Sequence, residues 1–89
     1  MPEEAAHRVK RLAMRSMRRG IKEMDLILSA FANANLAAMD DAGLTLYDQM
    51  LNENDHDLYQ WVTGQVAPPA QYAGLIDEIK AQISTARTV

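Results

Sequence analysis

The sequence predicts an all-α protein, a compact five-helix bundle of short helices, on three observations. Apolar residues recur at three- and four-residue intervals in successive segments, the signature of a helix with one buried face. No stretch alternates apolar and polar positions with β-branched residues, and no Asn-Gly or Asp-Gly pair joins candidate strands. The gaps between the apolar stripes are only a few residues long, so neighbouring helices must turn back on one another.

The first helix is expected over about residues 5–18, with Val9, Leu12, Ala13, Ser16 and Met17 inward and basic residues over the other faces. The second, about 21–35, carries Ile21, Met24, Leu28 and Phe31 in a stripe widened by Ile27. It is apolar over much of its girth and should run through the centre of the core. Asp40 or Asp41 caps a third helix over about 42–52 by accepting N–H bonds at its open end; Tyr47, Met50 and Leu51 face inward, and Gly43 weakens the first turn. A fourth starts in NENDHDLYQWV, capped by Asn54 or Asp55, turns Leu58, Trp61 and Val62 inward, and ends at Gly64. Pro68 and Pro69 suit the first turn of the last helix, where a missing N–H has no intrahelical partner. Its stripe is Tyr72, Leu75, Ile76, Ile79 and Ile83, and the closing STARTV should fray. The result is a single domain over 1–89 with an ordered core of about 5–84, since a chain this short cannot support a second core.

Composition removes whole classes of function. There are no cysteines, which excludes disulfides, thiolate metal sites and cysteine nucleophiles. His7 and His56 stand in no ligand spacing, so no metal is expected. The uncharged run 26–39 resembles a signal peptide only superficially: Ser29, Asn33 and Asn35 interrupt it, Glu23 and Asp25 precede it, and it falls short of the ~18 apolar residues a membrane span needs. A cytoplasmic protein without membrane contact, monomeric when free, is therefore expected.

Charge is unevenly spread. Residues 1–23 hold seven Lys or Arg against three Glu, a balance of +4, whereas the remainder holds two against nine acids, a balance of −7. Such polarity steers an oppositely patterned protein partner, and the acidic remainder repels a phosphate backbone.

The segment RRGIKE, residues 18–23, sits at the seam of the two basic-flanked helices. One reading is structural: Arg18 and Arg19 complement the negative end of the first helix, Gly20 closes it in the left-handed conformation, and Glu23 favours the positive start of the second. The other is functional. A side-chain-free Gly20 admits a partner's backbone, Arg19 offers a planar five-donor fork, and Glu23 offers an acceptor on the next turn.

This segment is the Arg-Gly-x-x-Glu hallmark, Arg19 to Glu23, and with it the chain resembles the SdhE family, the small flavinylation and assembly factors of succinate dehydrogenase, also called the succinate dehydrogenase assembly factor 2 family. RSMRRGIKEMDLIL followed by Phe31, and YDQMLNENDHDLYQWVTG with Asp57, Leu58, Tyr59 and Trp61, carry the resemblance over about residues 8–66. It implies a helical bundle that binds the flavoprotein subunit of succinate dehydrogenase, and related flavoproteins such as fumarate reductase, and promotes attachment of FAD to a histidine there. It also implies partner-binding roles for Arg19, Gly20, Glu23 and Asp25. Arg11, Arg15 and Met24 are further candidate contacts, Met24 with Met17 padding the docking surface beside the junction.

No catalytic residue is expected in this chain. Glu23 beside arginines is biased toward staying ionised, which suits neither a general acid nor a tuned base. Gly20, Gly43, Gly64 and Gly74 nowhere form G-x-G-x-x-G, so no cofactor should be bound stably and the FAD is the partner's. Trp61 reads as a core plug, and the acids around Asp55 and Asp57 as caps and a solvated face, without calcium-loop spacing. The rival is a nucleic-acid binder using Arg8, Lys10, Arg11, Arg15, Arg18 and Arg19 as a phosphate stripe, whose affinity would fall steeply with salt.

Overall fold

The computed structural model describes residues 4–17 and 19–87. Among them are five α-helices and no strand: α1 (Ala5–Arg15), α2 (Lys22–Asn35), α3 (Asp41–Met50), α4 (Asp55–Val62) and α5 (Ala73–Arg87). Single 3₁₀ turns at Leu36–Ala38 and Ala70–Tyr72 follow α2 and precede α5.

α1 stops at Arg15, short of the expected 18, because its last turn tightens. The Ser16 N–H divides between the Leu12 and Ala13 carbonyls, and the Met17 N–H bonds to Met14 rather than a residue further back. Ser16 is fully buried, as its place in the stripe predicts; its Oγ donates to Leu12 O at 2.8 Å and shares a hydrogen bond with the Tyr47 hydroxyl. Met17 lies past the helix end and is 48% exposed instead of inward. Arg18, expected to complement that end, lies outside the described residues.

α2 takes the central position, packing against α1, α4 and α5. Met24, Leu28, Phe31 and Ala32 are buried along it, and Ile21 and Ile27 pack against that core from its edge. The start of α3 resolves one ambiguity, since Asp40 is the cap and accepts from the Gly43 N–H at 2.8 Å. The start of α4 resolves the other: Asn54 accepts from the His56 N–H at 2.8 Å, which leaves the Asp55 carboxylate free for other work.

Gly64 closes α4 with φ at +80°, a conformation that costs glycine nothing. Around it the Gln65 N–H reaches the Gln60 carbonyl at 2.9 Å and the Gly64 N–H reaches that of Trp61, which satisfies two of the last open carbonyls. Pro69 does not sit in a helical turn; it is extended and immediately precedes the 3₁₀ turn, accepting from the Tyr72 N–H at 2.9 Å. α5 then buries Leu75, Ile76 and Ile79, and it continues to Arg87. The expected fraying of the end falls partly on Thr88 and Val89, which lie outside the described residues.

The five helices share one core. Phe31 stacks on Tyr47 with ring centroids 5.7 Å apart, and Trp61 lies against Tyr72 at 6.0 Å, so Trp61 is a core residue.

Candidate functional site

The basic segment is joined to the acidic one inside the molecule. Arg8 Nη1 donates to Asp41 Oδ1 at 2.5 Å, and its Nη2 bonds to Thr45. Arg11 reaches Asp48 Oδ2 at 3.2 Å, while Arg15 reaches the other oxygen of Asp48 and, at 2.8 Å, Asn52 Oδ1. Arg19 completes the series on Asp55. Asp41 and Asp48 stand seven residues apart on α3, about two helical turns, and so share one face, while Asp55 opens α4. The polarity expected from the sequence is therefore largely cancelled in the fold. The outer pairs are partly solvated and worth at most ~1 kcal/mol each, so they fix the register of α1 on α3 more than they hold it there.

The Arg19 pair is different. Its side chain is 14% exposed and that of Asp55 15%. Nε donates to Asp55 Oδ1 at 2.7 Å, Nη1 to the Leu51 carbonyl at 3.1 Å and Nη2 to the Glu53 carbonyl at 3.3 Å. The other carboxylate oxygen of Asp55 accepts from the Gly20 N–H. One guanidinium thus satisfies carbonyls at the end of α3, where the helix dipole favours a cation, and its carboxylate partner stands in the first turn of α4, where an anion is favoured. The junction before α2 is clamped to the junction before α4.

Each nitrogen of the Arg19 fork bonds within the chain, and one expectation is corrected. Gly20 does not adopt a left-handed conformation, since Gly64 alone has positive φ among the described glycines. Space favours glycine at 20: a Cβ there would stand 3.1 Å from Asp55 Oδ2, so the carboxylate that its N–H holds would have to give by a few tenths of an ångström.

Glu23, in the first turn of α2, is exposed. Asp25, half-buried on the same turn, accepts from Ser29 Oγ at 3.3 Å. Met24 is fully buried in the core, so its expected role as padding on a docking surface is overturned; helical geometry turns it inward between two polar neighbours. Glu23 borders a trough between α2, α4 and α5, with Leu26, Tyr59 and Lys80 among its walls. The sequence reading missed these residues, and it missed Asp55 as well. The seven-residue recurrence of Asp41, Asp48 and Asp55 opposite Arg8, Arg15 and Arg19 was the signal available for the last.

Beneath the clamp, burial pushes the Tyr47 phenol up to about 12 against the lowering influence of its Ser16 bond and the Arg19 charge. Tyr72 is also raised, first by burial and then by Glu53, whose carboxylate accepts from its hydroxyl at 3.3 Å. Among the described residues no group of His, Asp or Glu is placed to hold a metal. The trough does not fit a dinucleotide, since Glu23 would oppose a pyrophosphate and no glycine-rich turn faces it. What the arrangement can do is hold a rigid polar and apolar surface for another molecule.

Comparison with known proteins identifies the relatives of this surface. Residues 10–83 match the profile of the family described as flavinator of succinate dehydrogenase. A protein of Drosophila grimshawi named succinate dehydrogenase assembly factor 2, mitochondrial, is 39% identical over 82 residues, covering 90% of this chain and 56% of that protein. Proteins of the same name from Aspergillus terreus and Meyerozyma guilliermondii are 52% identical over 58 residues and 49% over 53, covering 65% and 60% of this chain but 19% and 39% of their own lengths. The chain thus spans between a fifth and just over half of these relatives. Their names place them in mitochondria, which overturns the expectation of a cytoplasmic protein.

Proposed function

The chain belongs to the family of succinate dehydrogenase flavinators, which are assembly factors, and from that premise we propose that it binds the flavoprotein subunit of succinate dehydrogenase and promotes covalent attachment of FAD to a histidine of that subunit. Related flavoproteins such as fumarate reductase are served by the same surface. The observation that carries this reading is the clamp of Arg19 and Gly20 on Asp55, which holds the first turn of α2 rigid with Glu23 exposed upon it. Glu23 and, beside it, Asp25 meet the partner, whereas Arg19 and Gly20 act by fixing the turn that presents them.

The chain acts as a chaperone rather than an enzyme. Its contribution is orientation: binding favours the partner conformation in which the partner's own histidine and flavin lie within reach, and the barrier falls because the geometry is assembled in advance. The nucleic-acid reading loses its support, since Arg8, Arg11, Arg15 and Arg19 already bond to Asp41, Asp48 and Asp55.

The test is co-expression with the flavoprotein, scored by in-gel fluorescence of covalent flavin. The native chain should raise the signal, and Glu23→Ala should reduce it while the helical circular dichroism stays unchanged. An unchanged fluorescence with Glu23→Ala would refute the assigned role of this turn.

A further inference from the structure

A trough of about 590 Å³ runs between α2, α4 and α5, walled by Glu23, Leu26, Ile27, Tyr59, Val62 and Lys80. Leu26 is 64% exposed although it lies on the central helix, one of few large apolar side chains left in solvent. Burying such a side chain favours whatever covers it. The charges are as informative as the apolar wall. While Arg8, Arg11, Arg15 and Arg19 all have carboxylate partners, Glu23 and Lys80 have no ion-pair or hydrogen-bond partner among the described residues. One carboxylate and one ammonium therefore face the same apolar trough unpaired.

Opposite signs beside an apolar wall select the occupant. A nucleic acid or another polyanion would meet Lys80 but be repelled by Glu23, and a purely apolar ligand would leave both charges desolvated without compensation. A peptide segment that is apolar along its middle and carries both signs satisfies every wall. We propose that this trough seats such a segment of the flavoprotein, with a basic side chain on Glu23 and an acidic one on Lys80. The inference rests on the flavoprotein reading above and extends it: Glu23 is one end of a longer docking surface that continues across α2 to α4 and α5.

The absence of cysteine makes the test direct, because any introduced thiol is unique. Leu26→Cys and Thr63→Cys place probes on the trough, and Met14→Cys, on the 65% exposed methionine of a separate hollow on α1, is the control. Each is labelled with a benzophenone maleimide, mixed with apo-flavoprotein, irradiated, and read by mass spectrometry. Crosslinks from position 26 or 63 to an apolar flavoprotein segment flanked by both signs are expected. In parallel, Glu23→Lys and Lys80→Glu should each weaken Kd about tenfold, and the double reversal, which keeps the net charge, should not restore it. A complex that crosslinks from position 14 but from neither trough position, or a double reversal that binds like the native chain, overturns the trough while leaving the flavoprotein reading standing. Failure of the native chain to bind any apo-flavoprotein overturns that reading and the trough with it.

Discussion

Replacing Asp55 by alanine tests whether the Arg-Gly pair of the hallmark acts inside the molecule. The change removes two hydrogen bonds to a charged acceptor, one from Arg19 Nε at 2.7 Å and one from the Gly20 N–H. Such bonds contribute about 1.5–3 kcal/mol each, and because both side chains keep some solvent contact the lower end applies, giving about 3 kcal/mol together. Loss of the anion in the first turn of α4 adds ~0.5 kcal/mol. A domain of this length has roughly 4–13 kcal/mol in total, so Asp55→Ala should remain folded but lose about 14–28 °C in Tm. Urea unfolding followed by circular dichroism and by Trp61 fluorescence measures it. Asp55→Asn keeps one acceptor and should fall between. The decisive comparison is the double-mutant cycle with Arg19→Ala: the two changes should overlap by at least ~1 kcal/mol, since each removes the same pair. Losses that simply add, or an Asp55→Ala cost below ~0.5 kcal/mol, would refute the internal clamp.

Other consequences are independent of it. The folded Tyr47 phenol titrates at about 12, above its unfolded value, so the fold holds the neutral form; that contribution is full below pH ~10 and is lost as pH rises toward 12, a difference of roughly 2–3 kcal/mol that Tyr47→Phe should abolish in urea midpoints measured across that window. Met24→Ala should cost about 2–5 kcal/mol, whereas Met14→Ala, on an exposed face, should change stability by less than ~0.5 kcal/mol in the same assay. Gly64→Ala should destabilise by about 1 kcal/mol or more, because the +80° φ is strained for any residue with a Cβ.

Helical spacing made the buried stripes legible. Leu12, Ser16, Leu28, Phe31, Tyr47, Trp61, Ile76 and Ile79 face inward as the period requires. The breaks between helices were less legible, because tertiary bonds decide them. The Ser16–Tyr47 contact and the tightened turn end α1 before its pattern ends, and a 3₁₀ turn separates Pro69 from α5. At the candidate site, local reasoning about Arg19 and Gly20 looked to neighbours in sequence and so reached only helix closure. The carboxylate they bond to within the chain is 35 or 36 residues away, and only the fold brings it close. Met24 failed for a simpler reason: it was chosen for its nearness in sequence to the basic junction, although its own stripe already directed it inward.

The central claim, that the first turn of α2 and the surface around Glu23 seat the flavoprotein, is tested most directly by hydrogen exchange of the chain, free and bound to apo-flavoprotein. The account predicts new protection concentrated in residues 22–27 and across the facing surfaces of α4 and α5, with α1 exchanging as in the free chain. Protection confined to α1, with residues 22–27 exchanging equally in both states, would contradict it.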